Sequence, residues 1–256
     1  MPNPGSEIGT RRESALHRAL KFRYSGQNGC TEQILGDYVC DGLTETGEII
    51  EVQTGSFGPL REKAEKLAAQ APLRIVHPVI ITRYIETYDS EGVLLRRRKS
   101  PRRGSPWDLF KNLLYAPELP LRRGLCIELA LVDVLEKRVE DGKGSWRRGG
   151  VSITGRELAG WHDSIILKKP RDYRRFVPLA QDFTVSSLAE EAGISPNLAR
   201  KTLYVLHKMG VVERTGKAGR AFTYRLKGPK AAKAPPAPGP SPPTGTRLTA
   251  GAKKKR

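Results

Sequence analysis

The spacing of hydrophobic and polar residues over positions 1–178 predicts helices and strands that alternate along the chain. Apolar residues recur with a helical period in some segments and alternate or run together in others, as in strands. The predicted elements are, in chain order, a helix at 12–24, strands at 38–43 and 48–53, a helix at 59–71, strands at 73–82, 83–88 and 93–98, a helix at 107–115 and a strand at 125–135. We expect His77-Pro78 to interrupt the strand at 73–82, and the pattern predicts no defined element over 145–177. This order favours an α/β layered core.

The pattern of residues 179–227 predicts a second, smaller unit. A short helix at 184–192 is followed by a longer helix, for which Ser195 is a suitable N-cap and Gly210 a suitable stop. The buried stripe of the longer helix is expected to comprise Leu198, Val205, Leu206 and Met209. Two strands then flank a glycine-rich tip at 216–219. Helix, turn, helix and hairpin is the order of a winged helix-turn-helix.

The charge of the chain indicates a polyanionic partner. Lys and Arg number 45 against 27 Asp and Glu, which gives a formal net charge of +18. Nucleic acid is the first partner class that this charge favours, and an anionic membrane surface is the second. Residues 228–256 contain seven prolines, seven Lys or Arg residues and no acidic residue. They predict a disordered basic tail with non-specific affinity for nucleic acid, and a solvated tail that helps solubility is the alternative.

Several classes of protein are excluded by the sequence. No apolar run approaches the roughly 18 residues that a membrane-spanning helix requires, and the N-terminal residues lack the layout of a signal peptide. The three cysteines are too far apart in sequence for a disulfide framework or a zinc site. We therefore expect a cytoplasmic protein with no membrane partner.

An acidic hairpin is the strongest candidate for chemistry. Gly47 suits the left-handed position of a three-residue loop, and this loop pairs positions whose numbers sum to about 92. Asp41 then lies opposite Glu51, and Gln53 shares the face of Glu51. Two neighbouring carboxylates repel each other unless a cation lies between them. Mg²⁺ prefers such oxygen ligands, and a metal-dependent phosphodiester hydrolase uses this arrangement. Glu13, on the inward edge of the first helix, is a candidate third ligand.

These residues resemble the motif of the PD-(D/E)XK nuclease superfamily, over the region from Glu13 to Thr82. The segments Ile49–Phe57, Val76-His77-Pro78 and Ser100–Gly104 also resemble a bacterial family that joins such a domain to a C-terminal winged helix. The resemblance implies an α/β fold with a restriction-endonuclease-like mixed-sheet core. It also implies metal-ligand roles for Asp41 and Glu51, with Glu13 assisting.

The sequence departs from the superfamily pattern at two positions. Cys40 stands before Asp41 where the pattern has proline, and Gln53 stands where it usually has lysine. A lysine would orient the attacking water and stabilise the charged transition state. Glutamine orients water by hydrogen bonding but carries no charge. Lys63 or Lys66, on the following helix, is a candidate source of that charge.

Two groups of residues are candidates for DNA contact. In the first unit they are Arg96, Arg97, Arg98, Arg102 and Arg103, for which a solvated edge is the alternative interpretation. In the second unit they are Asn197, Arg200, Lys201, Tyr204 and Lys208 on the recognition helix, with Lys217 and Arg220 in the wing.

The sequence thus predicts three parts: a nuclease-like domain at 1–178, a winged helix at 179–227 and the tail at 228–256. The expected function is Mg²⁺-dependent (or Mn²⁺-dependent) hydrolysis of DNA phosphodiester bonds. A non-catalytic DNA-binding or regulatory protein with a degenerate nuclease fold is the alternative. A third interpretation is an assembly factor whose winged helix binds protein. The sequence leaves a homodimer open.

Overall fold

The computed structural model describes residues 14–25, 30–178 and 182–228. Glu13 and the tail beyond residue 228 lie outside this range, so the predictions made for them are not addressed by the fold. The described residues form a mixed α/β architecture with a seven-stranded mixed sheet, helices on its faces and a separate two-stranded sheet.

The helices and strands follow in the order α1 (Ala15–Ser25), β1 (Cys30–Leu35), β2 (Tyr38–Leu43), β3 (Ile49–Val52), α2 (Arg61–Gln70), β4 (Leu73–Tyr88), β5 (Leu94–Lys99), α3 (Leu109–Asn112), β6 (Leu125–Val139), β7 (Ser152–Leu167), α4 (Val185–Glu191), α5 (Pro196–Lys208), β8 (Val212–Ala218) and β9 (Ala221–Leu226). Short 3-10 turns at Pro106–Asp108 and Leu113–Tyr115 flank α3 and make the segment predicted as a helix at 107–115 helical throughout.

The large sheet has the strand order β1-β2-β3-β4-β6-β7, and β5 pairs with the outer half of β4. Strands β3, β4 and β6 are parallel to one another, whereas β1, β2 and β7 run antiparallel to their neighbours. The parallel strands are covered on both faces, which explains their continuous apolar runs. Ile49 of β3 packs in the hydrophobic cluster beside α2, and Ile50 packs in the cluster beside α1.

The expected interruption at His77-Pro78 was wrong, because β4 runs unbroken from Leu73 to Tyr88. The Val76 carbonyl accepts a hydrogen bond from the Gln53 amide, on the side of β4 that faces β3. The backbone of Pro78, two residues later, faces the same side, where β3 has already ended. The missing N–H of proline therefore removes no bond of the sheet.

The hydrophobic pattern did not predict two edge strands, β1 and β7. Strand β1 is polar and largely exposed, so its apolar residues show no clear alternation. Strand β7 is half-exposed along most of its length and shifts register against β6 at three places, which obscures a period of two. The helix–hairpin–helix–strand order around them was predicted correctly.

The second unit contains the predicted helices and hairpin. The Ser195 hydroxyl accepts a hydrogen bond from the Leu198 amide at 3.3 Å and caps α5, as predicted. All four residues of the predicted stripe are buried, and Ala199, Thr202 and Leu203 are buried as well. This wider buried surface packs α5 against α3, so that one hydrophobic cluster extends through both units.

The hairpin of the second unit is tighter than predicted. Ala218 pairs with Ala221, so the strands extend into the predicted glycine-rich loop and leave a two-residue turn. Within the described ranges no helix is both long and apolar enough to cross a bilayer.

Candidate functional site

The acidic hairpin has the predicted register. Gly42 lies opposite Ile50 and Leu43 lies opposite Ile49, so paired positions sum to 92. Gly47 has a φ of +79°, the left-handed conformation that the tight loop requires. The sheet ladder ends before Asp41, where side chains replace backbone pairing.

Asp41 and Glu51 are interlocked at the end of this ladder. The Val52 amide donates to Asp41 Oδ2 at 2.8 Å. The Asp41 amide lies 3.3 Å from Glu51 Oε1 and donates to it. Each carboxylate therefore holds the backbone of the opposite strand. The two acids were expected to share one face of the sheet, but α1 contacts Asp41 and α2 contacts Glu51, and these helices pack on opposite faces.

The Asp41 carboxylate is held by residues of α1. His17 Nε2 lies 3.3 Å from Oδ2, and Lys21 Nζ lies 3.3 Å from Oδ1. Burial by itself raises the pKa of Asp41, but hydrogen bonds from His17 and the Val52 amide outweigh it, and the pKa falls below its ordinary value. Asp41 is therefore ionised at neutral pH.

The Glu51 carboxylate is buried and is held by α2. Lys63 Nζ lies 2.6 Å from Oε1 and 2.8 Å from Oε2. Burial raises the pKa of Glu51, and the charge of Asp41 raises it further, while Lys63 offsets part of the rise. Two carboxylates with pKa values shifted in opposite directions are typical of functional sites.

The structure distinguishes the two candidate lysines. Lys63 contacts Glu51, whereas Lys66 is more exposed and pairs with Glu62 at 3.1 Å. The Gln53 side chain donates a hydrogen bond to the Ser56 carbonyl, so its amide is already engaged. The Gln53 carbonyl accepts a hydrogen bond from buried His77.

Three residues of the site were not selected from the sequence. His17 and Lys21 both contact Asp41, and their spacing of four residues on α1 was the available signal. Lys21 also lies 3.2 Å from Glu32, which has a φ of +56° in β1. Glu32 lies on β1, between residues that pair with the neighbours of Asp41 on β2. Because the sequence did not predict β1, the position of Glu32 relative to Asp41 was not predicted either.

The donor set suits a hard divalent cation only in part. Within the part of the chain that the structure describes, no group of three or more His, Cys, Asp or Glu side chains is arranged to hold a metal. Asp41 and Glu51 supply two carboxylates, which is the number that Mg²⁺ commonly takes together with water and phosphate oxygens.

The predicted DNA-contacting residues of the first unit are all exposed, but some of them form ion pairs with acidic residues. All of β5 is exposed, yet Arg96 pairs with Glu140 at 3.2 Å and Arg97 lies 3.6 Å from Glu86. Arg98 is also exposed on β5. The exposed residues Arg102 and Arg103 belong to the loop that follows β5 and line a cleft.

The predicted residues of the second unit lie mostly on its surface. On α5 the exposed ones are Asn197, Arg200, Tyr204 and Lys208, while Lys201 is half-buried. Lys217 and Arg220 are exposed on the hairpin. The exposed edge of α5 reaches the first unit, because Tyr204 and Lys208 share a cleft with Arg61 and Arg122.

Comparisons with known proteins place the chain in a family. An "Uncharacterized protein" of Treponema pallidum (strain Nichols) is 29% identical over 237 residues, which cover 90% of this chain and 91% of that relative. No solved structure matches the chain. A family model matches residues 14–168, a range that contains Asp41, Glu51 and Lys63. Because this match spans more than half of the chain, the protein belongs to the family described as "Domain of unknown function (DUF8091)".

Proposed function

We propose that the protein is a metal-dependent DNA phosphodiesterase with a restriction-endonuclease-like core and a winged-helix DNA-binding unit. The observation that carries this proposal is the interlocked pair Asp41 and Glu51, with Lys63 on Glu51. The helix, two strands and following helix on which the PD-(D/E)XK resemblance rests are all present in the described residues.

The roles follow from the contacts. Asp41 and Glu51 would hold Mg²⁺ or Mn²⁺, which supplies polarisation of the phosphate and an activated water when bound. His17 and Lys21 keep Asp41 ionised and oriented. Lys63 carries the positive charge that the pattern usually places at the position of Gln53, and it is the residue that we assign to stabilising the transition state.

The second unit supports DNA as the substrate. The candidate contact residues that are exposed on α5 and on the hairpin are basic or polar, although Glu213 and Phe222 are exposed on the hairpin as well. The segment 179–227 has eight Lys or Arg residues against four Asp or Glu. A helix edge and a hairpin tip that present cations fit a major groove and the neighbouring phosphates. The cleft shared with Arg61 and Arg122 continues this surface onto the first unit, where Glu65 and Glu118 also line it and Glu65 pairs with Arg122.

A specific observation also favours a second candidate function. The Gln53 amide is bound to the Ser56 carbonyl, and both carboxylates already have lysine partners. A site in which every charge is paired can serve as a rigid platform without turning over. The second candidate is therefore a non-catalytic DNA-binding protein with the same fold.

Cleavage assays separate the two functions. We expect purified protein to cut plasmid and linear DNA with Mg²⁺ or Mn²⁺ and not with EDTA. Asp41→Asn removes the charge with little change in shape and is expected to lower the rate about a hundredfold or more. Equal rates for the wild type and Asp41→Asn would refute the nuclease. DNA binding without any metal-dependent cutting would favour the second candidate.

The DNA-binding part of the proposal has its own test. Affinity for a labelled duplex, measured by fluorescence anisotropy, is expected to fall steeply as salt rises, because each phosphate contact releases counterions. Arg200→Ala on the exposed edge of α5 is expected to weaken binding, whereas an affinity independent of salt would contradict phosphate-driven binding.

A further inference from the structure

A basic cleft opens where β3 ends and β4 continues. It has a volume of about 480 Å³ and is lined on one side by Thr54, which directly follows Gln53. Five cationic side chains line it, namely Arg83, Arg102, Arg103, Lys111 and Arg156. The single acidic residue among the lining residues, Asp108, already pairs with Lys111 and accepts a hydrogen bond from the Ser105 amide.

The loop that carries Arg102 and Arg103 is fixed to β4 at both ends. The Ser100 amide donates to the Arg83 carbonyl at 2.8 Å, and the Gly104 amide donates to the Ile80 carbonyl at 2.7 Å. A Cβ atom at Gly104 would lie 2.5 Å from the Ile80 oxygen, so this close approach requires glycine. The two arginines are thus held in place before any ligand arrives.

Strand β4 is irregular at the cleft. Its register against β6 shifts between Ile80 and Thr82, and Arg83 follows directly. Such bulges redirect side chains and are common beside functional sites. The Arg83 Nε atom is buried and has no hydrogen-bond partner among the described residues. A buried donor without a partner is costly. Arg83 is therefore a strained member of the cleft lining, and its Nη atoms, one of which lies 3.6 Å from Glu136, are the donors nearest to a counter-charge.

The cleft has a surplus of positive charge. Buried Glu136 lies beneath it and accepts hydrogen bonds from Arg138 and Arg156, with Arg83 at 3.6 Å. Within the described ranges Arg102 and Arg103 form no ion pair with an acidic residue. Arginine donors bind the oxygens of a phosphate or a carboxylate group in pairs, and phosphate is the one of these groups that a nucleic acid carries.

We propose that this cleft binds a phosphate group of the nucleic acid, separately from the Asp41–Glu51 pair. The proposal deepens the proposed function, since the identification of the ligand as a nucleic acid rests on it. Thr54, which lines the cleft, follows Glu51 by three residues, so the cleft and the acidic pair lie at the same end of β3 and one bound strand can contact both. Its source is either an internal phosphodiester or a terminal 5′-phosphate, which share the same chemistry.

The test compares two double variants that remove the same charge. Arg102→Ala/Arg103→Ala, the loop variant, removes both arginines of the loop. Arg171→Ala/Arg175→Ala, the control, removes two exposed arginines that do not line the cleft. Affinity for short labelled duplexes with a 5′-phosphate or a 5′-hydroxyl is measured in EDTA at fixed salt. We expect the loop variant to bind at least about tenfold more weakly than the wild type, and the control less than about threefold more weakly.

The outcomes are separable from those of the cleavage assay. If the wild type binds the 5′-phosphorylated duplex more tightly than the 5′-hydroxyl duplex, and the loop variant does not, the site binds a terminal phosphate. Equal losses for both duplexes support an internal phosphodiester. Equal losses for the loop variant and the control overturn the proposal. Because EDTA removes the metal, a functional cleft in a protein that does not cut DNA would refute the nuclease while leaving the phosphate site intact.

Discussion

The acidic pair and the basic cleft both lie at the end of β3, where Thr54 of the cleft follows Glu51 by three residues. They differ in how their charges are matched. Each acid of the pair contacts a lysine from a neighbouring helix, Lys63 for Glu51 and Lys21 for Asp41, although Lys21 also pairs with Glu32. In the cleft, Glu136 is shared among three arginines. A metal ion at the acidic pair must therefore compete with Lys21 and Lys63. An anion in the cleft meets arginine donors that have no acidic partner among the described residues, namely Arg102 and Arg103. The comparison predicts that the two sites respond differently to the loss of a charge.

Removal of the acid beneath the cleft is expected to have the largest effect. Glu136→Gln leaves three arginines without their buried counter-charge and is expected to lower the free energy of unfolding by about 3–5 kcal/mol. Urea denaturation measures this change. The matched control is Glu157→Gln, which breaks an exposed pair with Lys137 and should cost about 0.5 kcal/mol or less. Equal effects for the two variants would show that the arginines do not depend on Glu136.

The same variant has a predicted pH dependence. Burial raises the pKa of Glu136, but hydrogen bonds from Arg138 and Arg156 outweigh it and hold the pKa below its ordinary value. A lowered pKa in the folded state stabilises the protein above the unfolded value, about 4.3. This stabilisation is lost as pH falls through the folded pKa. The difference between the wild type and Glu136→Gln should therefore shrink in acid, and a constant difference would contradict this account.

The lysine on Glu51 should have the next largest effect. Lys63→Met leaves a buried carboxylate beside Asp41 without its cation, and we expect a loss of about 1–3 kcal/mol in unfolding free energy. Lys66→Met, on the same helix, removes an exposed pair with Glu62 and a contact with the Tyr38 ring, and should cost about 0.5 kcal/mol or less. Mn²⁺ should restore part of the stability of Lys63→Met, because it binds the folded state. A Lys63→Met protein as stable as Lys66→Met would show that the pair needs no lysine.

The glycine that fixes the cleft loop should have the smallest effect on stability. Gly104→Ala forces the loop away from Ile80 and is expected to cost about 1–2 kcal/mol while weakening duplex binding severalfold. Gly160→Ala is the control, since a Cβ there meets its nearest neighbour, Asp133, at 3.5 Å, an ordinary contact. Unchanged binding by a folded Gly104→Ala protein would show that the loop need not be held against β4.

The acidic pair was predicted from the sequence because its geometry is local. A three-residue loop with glycine in the left-handed position sets the register, and the observed pairs Gly42–Ile50 and Leu43–Ile49 follow from it. Lys63 was one of two candidates because both lysines lie on the same helix. Only the packing of α2 on the sheet shows that Lys63 contacts Glu51 and that Lys66 pairs with Glu62.

The cleft was predicted only in part, because it is assembled from distant segments. Arg102 and Arg103 were selected as a basic run, whereas Arg83 and Arg156 were not. These two come together through the pairing of β4, β6 and β7, and β7 had no recognisable period. Local pattern determines a hairpin, but it does not determine which strands meet across a sheet.

Binding of Mn²⁺ to the protein without DNA tests the central claim most directly. We predict that calorimetric titration gives one site per chain for the wild type. Asp41→Asn is predicted to weaken that site at least about tenfold, because it removes one of two charged ligands. The Arg102→Ala/Arg103→Ala variant should bind Mn²⁺ as the wild type does. Equal Mn²⁺ affinity in the wild type and Asp41→Asn would contradict the account.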